Sequence, residues 1–343
     1  MSQPSLQQFL SRLLRHEDLS RHEATTLLDA LLAEDSTDAQ IAGVLVALTA
    51  KGETVEELTG FAQGLRSKAT RVSCSHRCFI DTAGTGSSRA KTFNISTAAA
   101  FVIAGAGLPV AKHGNRAASS MSGSADVLTA LGVNISTSPL VSESTLNDIG
   151  ICFMFAPLYH GATARVAAIR RQLAVQTTFN LLGPMSNPAH APRQIIGVWD
   201  RELVTKVASV LAALGTERAW VVHGDDGLDE ITLAGATHVA EAVEGEVRTF
   251  SLTPKAFGLS ETSIHHLRGG DSAANAQIVR DVVSGHRHDE ARDLVLMTAA
   301  AALVVGGVSS DLTQAMARAE ESIDSGAASE KLSELIRLTN FDS

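Results

Sequence analysis

From about Arg71 onward the chain alternates short apolar runs with longer helical patterns, and this alternation restricts its fold more than any other feature. Phe79 to Thr82, Pro109 to Lys112, Ile151 to Phe155, Ile195 to Trp199 and Ala219 to His223 read as strands, with helical spacing between them, as in Leu203 to Leu214. Parallel neighbours need a crossover long enough to hold a helix. Strand and helix in regular alternation therefore predict an α/β unit whose central sheet is largely parallel and flanked by helices. The stretch from Asp289 to Leu338 is helical and alanine-rich. Aromatic residues make up only 4% of the chain, so these cores are expected to pack small and aliphatic side chains.

The residues before Arg71 follow a different pattern. Thr37 and Gln40 have capping-box spacing, and Ile41, Val44, Leu45 and Leu48 then recur at helical intervals. Gly52 ends that helix, and Thr54 with Glu57 repeats the box ahead of Leu58, Phe61 and Leu65. The expected fold is a small N-terminal helical domain over residues 1–71 followed by a larger α/β domain. A chain of 343 residues is long enough for both.

The net charge of −9, with no basic run, argues against a nucleic-acid partner, although an anionic substrate would still need local positive charge. Cys74, Cys78 and Cys152 are too few and too scattered for a disulfide framework or a metal cluster. The first residues lack the apolar core of a signal peptide. No apolar run reaches the roughly 18–20 residues of a membrane span. A cytoplasmic protein without a membrane partner is expected.

Four segments carry chemistry. The first is DTAGTGSSRAKTFNISTAAAFVIAGAG, Asp81 to Gly107. A strand enters a loop with Gly84, Thr85 and Gly86, and Ser87, Ser88, Thr92, Asn94, Ser96 and Thr97 lead into an apolar helix. Glycine lets a backbone approach a ligand, helix-start N–H groups favour anions, and hydroxyl and amide groups add donors for phosphate oxygens. A tight turn before a capped helix would use the same residues. The P-loop ending GK[ST] is missing. The second segment, AKHGNRAASSMSGSADVLTALG, places Lys112, His113, Asn115 and Arg116 just after a strand, with Ser119, Ser120, Ser122 and Ser124 before the next helix. Ligands gather at the carboxyl ends of parallel strands, and this set suits an anionic sugar phosphate. Solvated surface charge is the alternative for the two cations.

The third segment, DDGLDEITL, holds the adjacent carboxylates Asp229 and Glu230 after a strand and the Gly227 turn. Such a pair is a hard-oxygen partner for Mg2+, usually through waters, or else a solvated acidic turn. In the fourth, Val166 to Pro192, Arg170 and Arg171 lie on a helix ahead of a glycine–proline return. A guanidinium there can grip a carboxylate or simply face water.

Together these residues resemble the anthranilate phosphoribosyltransferase family, through AKHGNR, SGSADVL, TFNLLGP with NPAH, LDEITL and ESIDSGAA in that order along nearly the whole chain. The resemblance implies the nucleoside phosphorylase–phosphoribosyltransferase fold, with the helical domain completed by part of 165–190 and the α/β domain built from 72–164 and 191–343. It also implies a homodimer through that domain. The implied reaction transfers the phosphoribosyl group of phosphoribosyl pyrophosphate to anthranilate, with Mg2+, in tryptophan biosynthesis. Gly84, Thr85 and Gly86 match the pyrophosphate loop. Asn94, Ser96 and Thr97 match phosphate contacts, Ser96 also touching a metal, and Lys112 matches another phosphate contact. Ser87, Ser88, Thr92 and Ser124 add hydroxyls on the donor side. Gly84, His113, Asn115 and Arg170 match the anthranilate side, and Asp229 and Glu230 match metal carboxylates.

The sequence departs from the family at several places. Ser87, Ser88 and Arg89 stand where Gly-Asp-Gly is usual, Met121 where lysine is frequent, and Gln176 where arginine is frequent. No general base is assigned. The readings weighed against this one are a nucleoside phosphorylase, a paralogue using another aromatic acceptor, and a non-catalytic or nucleic-acid-binding relative.

Overall fold

The computed structural model describes residues 5–86, 92–117, 122–265 and 267–341. Four helices open the chain: α1 (Leu6–Leu13), α2 (Arg21–Leu32), α3 (Asp38–Lys51) and α4 (Val55–Lys68). Each begins on a reciprocal capping box, formed by Ser5 with Gln8, Ser20 with Glu23, Thr37 with Gln40, and Thr54 with Glu57. The boxes at Thr37 and Thr54 were expected, and those at Ser5 and Ser20 obey the same spacing rule.

The rest of the chain runs β1 (Ile80–Gly84), α5 (Ile95–Gly105), β2 (Val110–Gly114), α6 (Ser124–Leu131), α7 (Pro139–Ile149), β3 (Ile151–Phe155), α8 (Ala156–Tyr159), α9 (Ala164–Leu173), α10 (Thr178–Met185), β4 (Arg193–Gly197) and α11 (Glu202–Ala213). It continues with β5 (Arg218–Gly224), β6 (Thr237–Val243), β7 (Glu246–Leu252), α12 (Ser272–Val283), α13 (Glu290–Val305), α14 (Leu312–Asp324) and α15 (Ala327–Thr339). Each of the five expected strands is present. The helical stretch after Asp289 is divided into three, at Gly306–Gly307 and again at Gly326 with φ 84°.

The seven strands form one sheet in the order β3-β2-β1-β4-β5-β6-β7. Strands β1 to β5 are parallel, whereas β6 and β7 are antiparallel. The last two strands were not expected. Polar residues interrupt both: Thr237, His238 and Glu241 in the largely buried β6, and Glu246, Arg248, Thr249 and Ser251 in β7, the partly exposed edge strand. Glu244 and Gly245, both with positive φ (53° and 81°), join them as a two-residue hairpin turn of the twist that strands prefer.

Burial on both faces explains the apolar central strands. Ile195 packs with α5 and α13 on one side, while its neighbour Ile196 packs with α11 and the helical bundle on the other. The bundle core also takes in Val166 and Ile169 of α9 and Phe179 and Leu182 of α10. Among the described residues, no helix is long and apolar enough to cross a membrane.

Candidate functional site

The chain winds outward from β1 through β2 to β3, then returns to place β4 on the other side of β1. The β1–β4 junction is therefore a switch point, where an open α/β sheet leaves a crevice at its carboxyl edge. Gly84 ends β1 in register with Gly197 at the end of β4. The Thr85 N–H donates to the Gly197 carbonyl at 2.9 Å, and the Thr85 hydroxyl does so at 3.2 Å. The turn after β5 presses directly on this junction. A Cβ on Gly197 would lie 1.6 Å from the Asp229 carbonyl oxygen, and one on Gly84 would lie 3.5 Å from Asp229 Oδ2. Gly86 has φ +64°, a conformation that glycine adopts without strain. Ser87, Ser88 and Arg89 lie outside the described residues, as do Ser119, Ser120 and Met121.

The start of α5 fills one wall. Asn94 is its N-cap position but makes no side-chain cap. Its amide nitrogen donates to the Ser122 carbonyl at 3.4 Å, and its amide oxygen accepts from Asn275 Nδ2 of α12 at 3.1 Å. The Ser96 N–H donates to Glu230 Oε1 at 3.2 Å. Thr92 lies at the rim, with its hydroxyl donating to the Phe93 carbonyl at 3.2 Å. The Thr97 hydroxyl is buried within the helix packing and has no hydrogen-bond partner among the described residues.

Lys112 and His113 end β2 and are both buried. The Lys112 ammonium donates to the Thr82 carbonyl and reaches Ser96 Oγ at 3.4 Å. Burial lowers its pKa, while the charges of Asp81 and Glu230 hold it up. The His113 Nδ1 lies 3.2 Å from the Gly183 carbonyl of α10, so this nitrogen carries the proton and Nε2 presents a lone pair. That Nε2 is buried and has no partner among the described residues. Burial, with help from His160 at 5.2 Å between ring centroids, pushes the His113 pKa down to about 3, so the ring is neutral.

The paired carboxylates sit opposite. Burial and the Asp229 charge push Glu230 up to about 8. Two oxygen-rich groups that resist shared ionisation, beside the Ser96 backbone and hydroxyl, suit a divalent cation that relieves the repulsion and keeps some of its waters. Among the described residues, no group of three or more His, Cys, Asp or Glu side chains is assembled for a metal. The available donor set is thus carboxylate and hydroxyl oxygen, which fits Mg2+ better than a soft metal.

Arg170 approaches from α9. Its Nη2 donates to Asn180 Oδ1 at 2.9 Å, its guanidinium lies 5.7 Å from the Phe179 ring centroid, and its buried Nε has no partner among the described residues. Burial lowers its pKa. Both Arg170 and His113 are held by α10, one through Asn180 and the other through Gly183. Thr178 at the start of that helix donates to Glu53, which lies between α3 and α4. Asn115 is exposed, and its carbonyl accepts from Ser124 Oγ at 3.4 Å and Ala125 N at 3.2 Å. Arg116 pairs with Asp126 at 2.9 Å. Gln176 is exposed in the turn between α9 and α10.

The structure thus brings Gly84, Thr85, Ser96, Lys112, Asp229 and Glu230 to one strand edge, with Asn94 and Ser124 on the flanking helix starts and His113 and Arg170 beside α10. Sequence reasoning missed Asp81, His160, Asn187 and Asn275. A carboxylate inside the first strand was a visible sign for Asp81, and Asn187 lies in NPAH. No local pattern marks Asn275.

Residues 76–329 match the α/β domain of a glycosyl transferase family, and residues 7–69 match that family's helical bundle domain. The chain is 48% identical over 327 residues to an anthranilate phosphoribosyltransferase from Moorella thermoacetica, covering 95% of this chain and 96% of the relative. Its fold is similar to that of anthranilate phosphoribosyltransferase from Thermus thermophilus, with a TM-score of 0.90, 36% identity, and coverage of 96% of this chain and 98% of that one. The Saccharomyces cerevisiae enzyme in complex with PRPP and Mg gives a TM-score of 0.90 at 28% identity, covering 98% of each chain.

Proposed function

The chain belongs to the anthranilate phosphoribosyltransferase family, and on that premise we propose that it transfers the 5-phosphoribosyl group of phosphoribosyl pyrophosphate to the amine of anthranilate, as a step of tryptophan biosynthesis. One observation carries the reading. A buried lysine, two adjacent carboxylates and the start of α5 meet at the β1–β4 switch point, while a half-buried arginine of α9 and a neutral histidine of β2 are both held by α10.

Donor binding falls to Gly84, Thr85, Gly86, Asn94, Ser96, Lys112 and Ser124, with Thr92 at the rim and Ser87 and Ser88 in the same loop by sequence. Thr97 belongs to the donor side by the family resemblance, although its hydroxyl is enclosed and its N–H donates to the Asn94 carbonyl at 3.1 Å. Gly84, His113, Asn115 and Arg170 form the acceptor side. Asp229 and Glu230, with Ser96, would hold Mg2+. When bound, Mg2+ supplies charge neutralisation for the pyrophosphate oxygens.

The chemistry needs little beyond positioning and electrostatics. The amine nitrogen forms the bond to C1′, the bond to the pyrophosphate oxygen breaks with its electron pair, and the nitrogen then sheds its extra proton to water. Lys112 stabilises charge on the leaving group. The Nε2 lone pair of His113 accepts an N–H of the amine and aims the nitrogen lone pair at C1′. A ring that stays neutral at working pH is an orienting group. Arg170, already turned by Asn180, receives the carboxylate of anthranilate.

The division into a helical unit (1–71 with part of 165–190) and an α/β unit (72–164 and 191–343) belongs to the same reading, supported by the bundle core that α9 and α10 share. So does a homodimer through the helical unit, supported by Leu14 and Val46, which expose large apolar side chains there. Free cysteines suit a cytoplasmic setting. To test the reading, the pure protein is incubated with phosphoribosyl pyrophosphate, Mg2+ and anthranilate, and anthranilate fluorescence is followed. Loss of fluorescence only when all components are present is expected. Folded protein that leaves the signal unchanged would refute it.

A further inference from the structure

Asp81 is fully buried in β1, beneath Lys112 and His113. An ionisable carboxylate inside a sheet is costly unless its oxygens are satisfied, and both of these are. Oδ1 accepts the His113 backbone N–H at 3.1 Å, and Oδ2 accepts Asn187 Nδ2 at 2.7 Å. The same Asn187 amide donates to the Ala111 carbonyl at 2.9 Å, and its oxygen accepts the Ala189 N–H at 2.8 Å. One carboxylate therefore ties β1 to β2 and to the segment that follows α10. Because His113 directly follows Lys112 in β2, the bond to its N–H also fixes the strand at Lys112, whose ammonium donates to the Thr82 carbonyl of β1, and the charges of Asp81 and Glu230 both favour its protonated form.

We propose that Asp81 is a positioning residue that holds Lys112 on the donor side and His113 on the acceptor side in one register, with Asn187 as its lock. The chemistry of the group supports this. An apolar side chain would fill the same place in the strand without fixing either neighbour. Only a carboxylate can accept from two opposed N–H donors while offering a countercharge to a third group. An amide of the same shape accepts from one donor and turns its own N–H toward the other. The inference rests on the reading of Lys112 and His113 as facing the two substrates.

The test is a cycle of full-length variants, Asp81→Asn, Lys112→Met and the two combined, assayed for kcat/KM toward each substrate and for thermal unfolding. Asp81→Asn should lower kcat/KM about ten- to a hundredfold for both substrates, the range for lost hydrogen bonds to a charged group. In the Lys112→Met background the further donor-side loss should shrink to less than about twofold, because coupled residues are not additive. The acceptor-side loss, which runs through His113, should persist in that background. A general structural defect would lower both substrates equally in either background. The inference is overturned if the donor-side loss is the same in both backgrounds, or if Asp81→Asn turns over like wild type. If Lys112→Met alone leaves donor kinetics untouched, the assignment of the donor site fails first and the inference fails with it. If Asp81→Asn is too unstable to assay, the cause should be a buried ammonium left with less countercharge. The double variant should then unfold at a higher temperature than the single, and a double variant no more stable than Asp81→Asn also overturns the proposal.

Discussion

The tightest joint in the site is the contact between Gly197 and the turn carrying Asp229 and Glu230, and the Gly197→Ala variant tests whether that joint sets the metal carboxylates. The added methyl would lie 1.6 Å from the Asp229 carbonyl oxygen, whereas real Cβ atoms essentially never come within 3.0 Å of a neighbour, so something must move by at least about 1.4 Å. Strand β4 cannot easily yield, because it is hydrogen-bonded between β1 and β5 and its last carbonyl holds Thr85. The turn after β5 lies outside the strand ladder and is tied largely to itself, through the Gly224–Leu228 and Asp226–Thr232 hydrogen bonds, so it should shift as a unit. A misplacement of about 1 Å can cost on the order of a hundredfold in rate, and overpacking of this kind costs about 1–3 kcal/mol of stability. The variant should therefore fold with a lowered Tm, lose roughly two orders of magnitude in kcat/KM, and require more Mg2+ for half-maximal rate. The assay is the initial rate of anthranilate fluorescence loss over a Mg2+ titration, with Tm measured in parallel. A folded Gly197→Ala protein with wild-type rate and wild-type Mg2+ requirement would show that the contact does not govern the carboxylates.

Gly84→Ala is the steric contrast, since its methyl would sit at an ordinary 3.5 Å from Asp229 Oδ2. Its Tm should stay near wild type while the donor KM rises, and an unchanged donor KM would remove Gly84 from the site. Arg170→Ala should raise the anthranilate KM by about ten- to a hundredfold, well beyond any change for the donor. Equal changes in the two constants, or none, would count against a carboxylate contact. His113 provides a pH test. Its folded pKa of about 3 lies below the ordinary value of 6.5, so between these values the unfolded chain binds a proton that the folded chain does not. Stability from this group is full above 6.5 and is lost as pH falls toward 3, by up to about 1.4 kcal/mol per pH unit. The stability difference between wild type and His113→Gln, from urea midpoints, should move against wild type as pH falls through that window, and a pH-independent difference would refute the buried neutral ring.

Much of the fold was legible because its causes are local. Capping boxes at Thr37 and Thr54 act over three residues, helical periodicity over a few turns, and the apolar runs of β1 to β5 reflect burial on two faces. The β6–β7 hairpin escaped because polar residues interrupt both strands, leaving neither a continuous apolar run nor a clean alternation, and their pairing is fixed only by the neighbouring strand β5. The same divide runs through the site. The glycines after β1, the KHGN segment and the Asp229–Glu230 pair could be picked out by residue type and by their place after strands, and Arg170 through the family resemblance. What the sequence by itself determined was the elements and the inventory of chemical groups, since hydrophobic pattern, capping and turn chemistry depend on near neighbours in the chain. What only tertiary structure decided was which of those groups meet. Asn187 reaches Asp81 across 106 positions and Asn275 reaches Asn94 across 181, and both contacts exist because β4 returns beside β1 and α12 packs near the start of α5. Those pairings depend on long-range burial and strand order, which is why an enclosed Thr97 hydroxyl, an exposed Gln176 and a buried lysine anchored on the Thr82 carbonyl became visible only in the folded chain.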